Sequence, residues 1–237
     1  ARILLRLPAG CQGYADAQLD DHHHLPRREL PWRPPLSLTV RARARPPDPV
    51  GTLGFGFWND PFSLSLGGGG TARKLPAAPQ ALWFFYGSAP NDLAFPGCVR
   101  GAGWKAASLR SPAIPAWLLA APALGAYLLS LLPGIRWPLM RAALRQVRAQ
   151  ESSLAVSIED WHRYHLVWRS QSAEFSVDDT VVLQADDPYP GPLGFVAWID
   201  NQYAIATPKA GLHFGILSTQ LEQSLEIDEL SIRQLED

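Results

Sequence analysis

In Leu36–Arg45, "LSLTVRARAR", Leu36, Leu38, Val40, Ala42 and Ala44 fall on one side and Ser37, Thr39, Arg41, Arg43 and Arg45 on the other. Only an extended chain separates these two sets, because successive side chains of a strand point to opposite faces. The segment therefore reads as a half-buried strand with a basic outer face. A "PPDP" turn follows, and "GTLGFGFW" then aims Leu53, Phe55 and Phe57 inward, with Gly54 and Gly56 allowing close approach on the other side.

The same style recurs along the chain. "ALWFFYGS" (81–88), "NDLAF" and "GWKAASL" precede "YHLVWRS", "AEFSVDD", "TVVLQAD", "LGFVAWID", "YAIATP", "LHFGIL" and "SLEIDELSIRQ". Many short strands with a turn signal every eight to twelve residues point to an all-β sandwich or jelly roll. Helical patterns do not alternate with the strands, which disfavours a parallel α/β fold. Hydrophobic residues make up 47% of the 237 residues, with nine Trp, enough for a large core. One jelly-roll domain over 1–237 with an insertion accounts for the length.

That insertion is expected at 111–150. Residues 111–135 carry no charge, and four prolines break any straight span. Next, "WPLMRAALRQVRAQ" sets Met140, Leu144 and Val147 on one helical stripe and Arg141, Arg145 and Arg148 on another. An apolar hairpin followed by a basic amphipathic helix predicts a membrane or partner surface formed by Trp117, Leu118, Tyr127, Trp137, Arg141, Arg145 and Arg148. A helical pair capping a sheet or making a homodimer contact fits the same pattern. Charge follows this division, for between residues 61 and 150 nine Lys or Arg stand against the single acid Asp92, although the net charge is −1. A near-neutral chain argues against nucleic acid as a partner.

The stretch 160–179, "DWHRYHLVWRSQSAEFSVDD", resembles a strand pair of the concanavalin A-like glucanases, above all the family 16 glycoside hydrolases. Trp161, His162, Tyr164 and Trp168 match a pattern F/W-H-x-Y-x-x-x-W, and Phe175, Val177 and Asp178 match F-x-V-D-G, with Asp179 replacing the usual Gly. The closing "LEIDELSIRQ" is similar to the last strand of that fold. The resemblance implies a concanavalin A-like jelly roll over the chain outside 111–150.

It also implies a test of catalysis. In family 16 hydrolases an upstream strand carries E-x-D-x-E or E-x-D-x-x-E, whose alternation aims three carboxylates into one groove. A retaining mechanism needs two of them about 5 to 5.5 Å apart. Here "ALWFFY" occupies the matching place, and no Asp or Glu lies between Asp60 and Asp92. The resemblance therefore implies a scaffold without its catalytic acids, whose groove presents Trp83 and either Phe85 or Tyr86 while Leu82 and Phe84 face the core. Such rings stack a sugar or hold an apolar ligand, or else fill the cleft.

"FWNDPF" and "WIDNQYA" add Trp58, Asn59, Asp60, Trp198 and Asn201, rings and amides of the kind that recognise carbohydrate, and Trp104 joins them as a candidate. The expected ligand is a carbohydrate or an amphiphilic small molecule, bound without glycosidic cleavage. The rival is an enzyme of other chemistry using Asp60, Asp92 or Tyr86. No cofactor is expected. A structural calcium at Asp228 is the one metal the resemblance suggests, and a single carboxylate is far short of six to eight oxygens. "DDHHH" (20–24) reads as a solvated loop. The opening "ARILLRLPAG" is too short and too charged for a signal peptide. Cys11 and Cys98 permit one disulfide at most.

Overall fold

The computed structural model describes residues 2–60, 77–93, 99, 101–112, 146–207 and 211–236. Alternating segments form fifteen strands: β1 (Ile3–Leu7), β2 (Asp16–Asp20), β3 (Leu36–Arg45), β4 (Thr52–Trp58), β5 (Gln80–Gly87), β6 (Asp92–Leu93), β7 (Gly103–Arg110), β8 (Arg148–Ser153), β9 (His162–Trp168), β10 (Ser172–Val177), β11 (Thr180–Asp186), β12 (Gly194–Asp200), β13 (Gln202–Thr207), β14 (Gly211–Ile216) and β15 (Gln223–Gln234). Two six-stranded antiparallel sheets, ordered β1-β15-β3-β9-β10-β11 and β2-β12-β4-β5-β7-β8, form a β-sandwich, and β14-β13-β6 make a small third sheet.

One hydrophobic core lies between the large sheets. From the first sheet it takes Leu38, Val40, Tyr164, Trp168, Phe175 and Ile227; from the second, Phe55, Phe57, Leu82, Phe84 and Trp104. Rings cross the interface edge to face, with Phe55 and Phe84 each 5.1 Å from Tyr164 between centroids. Trp104 Nε1 donates to the Tyr164 hydroxyl at 3.2 Å, so the buried polar ends of two large side chains satisfy each other. Burial pushes the Tyr164 phenol well above its ordinary value.

The β10–β11 hairpin turns on Asp178 and Asp179, with φ of 47° and 65°. Two consecutive left-handed residues are the backbone of a tight hairpin turn whose twist suits the flanking strands. Asp occupies both places because its side chain binds locally: Asp178 accepts from the Arg163 amide at 2.8 Å and from His162 at 2.6 Å. The Arg163 amide, ahead of His162, holds the Asp178 carboxyl below its usual range.

The helical insertion needs correction. At its described ends, Ser111 is tied to Gln80 by two hydrogen bonds of 2.8 and 2.9 Å, and residues 148–150 open β8, paired with β7. Val147 is buried and Arg148 lies 3.2 Å from Asp187, so neither sits on a helical stripe. Pairing beside an existing strand outweighed the local helical periodicity. Trp117, Leu118, Tyr127, Trp137, Arg141 and Arg145 lie outside the described residues. No helix among the described residues is long and apolar enough to cross a membrane.

Candidate functional site

The outer face of the second sheet is built from three neighbouring strands. β4 runs down the middle, and its outward positions are Thr52, Gly54, Gly56 and Trp58; β12 offers Val196, Trp198 and Asp200, and β5 offers Ala81, Trp83 and Phe85. The register sets Trp198, Gly54 and Phe85 in one row and Val196, Gly56 and Trp83 in the next. No carboxylate stands on the outer face of β5.

The glycines allow the rings to meet. A Cβ at Gly54 would lie 2.8 Å from the Trp198 ring, and one at Gly56 would lie 2.7 Å from the Trp83 Cβ. Gly56 also has φ of +151°, a backbone state that side chains disfavour. With no side chain at Gly54 or Gly56, rings from both flanking strands fold over the middle of β4. Trp198 contacts Trp83, Phe85 and Trp58 at 5.4, 6.1 and 6.4 Å between centroids, and lies within 6° of parallel to Trp58. Trp83 stacks on Phe85 at 5.7 Å. All four rings are half-buried, so part of each remains on the surface.

Hydrogen bonds anchor two of the indoles. Trp58 Nε1 donates to His22 Nε2 at 3.0 Å. His22 must therefore carry its proton on Nδ1, which lies 3.0 Å from the Phe195 carbonyl. Gly194 makes room for that ring, for a Cβ there would sit 2.3 Å from His22 Cγ. Asp20 caps the turn, accepting from the His22 and His23 amides at 3.1 and 2.8 Å. Burial alone would raise the Asp20 carboxyl, but hydrogen bonds from Gln18 and these amides outweigh it and hold it down at about 2.

At the other end of β12, Trp198 Nε1 donates to Thr52 Oγ1 at 3.0 Å, and Thr52 Oγ1 donates to Asp200 at 2.8 Å. Asp16 faces Asp200 directly across the β2–β12 pair. Burial pushes Asp200 up to about 6 against hydrogen bonds from Gln202 and Thr52, and Asp16 adds to the rise. Burial and these two carboxyls raise the neighbouring Tyr14 to about 12. On the opposite flank a buried ion pair, Lys105 and Glu151 at 3.7 Å, borders the face.

The structure brings Trp58, Trp83, Phe85 and Trp198 together and sends the other candidates elsewhere. Tyr86 and Trp104 are cross-strand partners on the core side. Burial, then Asp48, raises the Tyr86 phenol, which further removes it from proton transfer. Asn59 is buried and spends its amide on Ala78 and Gln80 at the start of β5. Asn201 is buried and spends its own on Gly13, Ala15 and Leu217. Both are turn residues that satisfy backbone rather than ligand contacts. Asp60 follows the far end of β4, its carbonyl 2.5 Å from Arg27 Nη2, whereas Tyr86 lies at the near end, opposite Leu53. Asp92 belongs to β6 and accepts from the Gly101 amide at 3.1 Å. The three proposed acids thus share no site.

Asp228, at a bulge in β15, pairs with Arg41. Among the described residues no group of three or more His, Cys, Asp or Glu side chains is placed to hold a metal. Cys11 Sγ contacts the Gly13 carbonyl at 3.4 Å, and Cys98 lies outside the described residues. His22 and Thr52 have parts at the site that sequence reasoning missed. The local cue for His22 was Asp20 two residues before it, a turn-capping residue, which contradicts a wholly solvated loop.

Solved structures share this architecture. A laminarinase from Flavobacterium sp. UMI-01 aligns with a TM-score of 0.52 at 9% identity, over 98% of this chain and 79% of that one. A glycoside hydrolase family protein from Mycobacterium thermorestibile aligns at 0.51 and 13%, over 98% and 76%. A Crh5 transglycosylase in complex with NAG gives 0.50 and 11%, over 98% and 72%. The chain spans 64% of the LamAcat structure from Zobellia galactanivorans. At these identities the likeness establishes the fold alone, a sandwich of two antiparallel sheets. No protein-family model and no curated protein matches the chain.

Proposed function

We propose that this protein binds carbohydrate on the face formed by Trp58, Trp83, Phe85 and Trp198, without cleaving glycosidic bonds. The carrying observation is the ring quartet itself: four contacting aromatic side chains on the outside of a sheet whose inside already supplies a full core. Sugar rings present flat C–H faces that such rings cover, and the anchored indoles lose little further freedom on binding. The scaffold is one that laminarinases and glycoside hydrolases share. The strand that would carry their acids has Ala81, Trp83 and Phe85 outward, none of which can act as nucleophile or proton donor.

The test is affinity electrophoresis in gels containing laminarin or NAG oligomers, alongside a reducing-end assay. Retardation by one glycan, relieved in Trp83→Ala and Trp198→Ala, with no reducing ends released, supports the proposal. Mobility unchanged in both gels, or steady release of reducing ends, overturns it.

One observation favours a second reading, an enzyme of other chemistry in the same cleft. Asp200 is held at about 6, beside Asp16 and at the edge of the rings. A carboxyl raised to about 6 still holds its proton in mildly acidic solution, which suits general-acid work there. Turnover lost in Asp200→Asn with glycan retention unchanged would select this reading.

A further inference from the structure

The opposite surface of the molecule, the outer face of the first sheet, holds a second cluster that neither the core nor the ring quartet explains. Its centre is Trp161, immediately before β9. The guanidiniums of Arg43, Arg41 and Arg2 lie over its ring at 4.8, 5.0 and 5.3 Å from the centroid. A ring has two faces, so at least two of these three cations share a side.

Their carboxylate partners are too few. Glu226 is buried and serves three arginines at once: Arg2 in direct contact, Arg43 at 3.2 Å and Arg45 at 3.9 Å. Asp228 pairs with Arg41. Four guanidiniums therefore face two carboxylates, and Trp161, which stacks with three of them, adds no charge. Arg43 Nε is buried and has no hydrogen-bond partner among the described residues. Burial, then the like charges of Arg45 and Arg2, depress the Arg43 guanidinium from its ordinary value. Arg163, the next cation along β9, is already matched by Glu229 at 3.1 Å and does not share the deficit.

We infer that Arg2, Arg41, Arg43 and Arg45 around Trp161 form a binding site for one tetrahedral oxyanion, a sulfate or phosphate group, free or carried as a monoester. The surplus of two positive charges equals the charge of free sulfate or of a fully ionised phosphate group, and a sulfate monoester, with one negative charge, offsets half of it. Guanidinium forks match its oxygens in pairs, and indole packing holds the forks in place before the anion arrives. Compactness argues for a single group, since a polyanionic surface would call for a broad basic face and this chain has a net charge of −1. The site is independent of the ring quartet, which lies on the other sheet.

The experiment is a titration of the whole protein with sodium sulfate and sodium phosphate, followed by amide resonances of Trp161 and Arg43. Sodium chloride at matched ionic strength serves as the reference, and glucose 6-sulfate is the monoester arm. Saturable shifts with sulfate or phosphate and none with chloride are expected. Arg43→Gln should weaken binding at least tenfold. Arg2→Gln, at a more exposed position, repeats the test should Arg43→Gln fail to fold. Arg28→Gln, on a separate exposed pair, should leave binding unchanged. Tighter binding of the sugar sulfate than of free sulfate assigns the group to a glycan, and the reverse assigns it to the free ion. Identical responses to sulfate, phosphate and chloride, or unaltered affinity in Arg43→Gln and Arg2→Gln, overturn the inference. Laminarin retention should survive Arg43→Gln, so failure of the glycan proposal and failure of this one are read separately.

Discussion

Arg41, Arg43, Arg163, Glu226 and Glu229 stand on the outer face of the first large sheet, and Trp58, Trp83, Phe85 and Trp198 stand on that of the second. Inward, the two sheets are alike, each lined by Leu, Val, Ala and aromatic residues at every second position. On the outer face of the second sheet, Trp58 and Trp83 also pack against a smaller buried cluster of Ala81, Leu109 and Ala149. A charged surface of cross-strand ion pairs is the ordinary way to keep such a face in water. Four contiguous, partly exposed rings are not, because an exposed apolar patch invites association. The contrast separates what folding requires from what it tolerates.

Four tests bear on this contrast. The largest effect belongs to the shared interior. Phe55 is fully buried against Phe84, Trp104 and Tyr164, and Phe55→Ala should cost about 3 to 5 kcal/mol in denaturant unfolding. An equal cost for Phe85→Ala, on the outer face, would abolish the distinction between inside and outside.

Two carboxyls of the ring-bearing sheet should respond to pH with opposite sign. Asp200 has a folded value of about 6, above the usual 3.8, so the folded protein binds the extra proton. Its contribution is fully present below pH 4 and is lost as pH rises towards 6, a change of about 2 to 3 kcal/mol. Asp20 has a folded value of about 2, so its contribution is present above pH 4 and is lost as pH falls through 2. Unfolding free energies from pH 2 to 7 should show the fall between 4 and 6 vanish in Asp200→Asn and the acid-side loss vanish in Asp20→Asn.

Smaller still in stability, but decisive for function, is Trp198→Ala. Trp198 is only partly buried and stands outside the main core, so unfolding should shift by only about 1 to 2 kcal/mol. Laminarin or NAG-oligomer affinity should nonetheless fall at least tenfold in the same gels. The smallest change is on the charged face, where Glu229→Gln removes an exposed pair with Arg163 and should cost under about 1 kcal/mol by thermal unfolding.

Much of this was legible in the order of residues. Alternation in "LSLTVRARAR" and "GTLGFGFW" identified β3, β4 and the faces they bury. It was silent on β2 and β8, "DAQLD" and "RAQESS", which are too polar to show a core face and are strands only because they pair with β12 and β7. Asn59 and Asn201 looked like ligand contacts because an amide beside Trp reads the same whether it faces a sugar or a neighbouring carbonyl. Tyr86 and Phe85 are adjacent in sequence, and only the register against β4 decided which of them points outward.

Alternation along the chain defines the sandwich class and the inward set, since a side chain's direction along a strand is a local property with period two. Tertiary structure alone decided that Trp58, Trp83 and Trp198 touch, that Gly54 and Gly56 lie beneath them, and that Asp200 shares its end of the face with Asp16. Those that involve β12 join strands more than a hundred residues apart, and Trp58 and Trp83 also come from separate strands. They depend on which strands become neighbours and in what register, and no local rule carries that information.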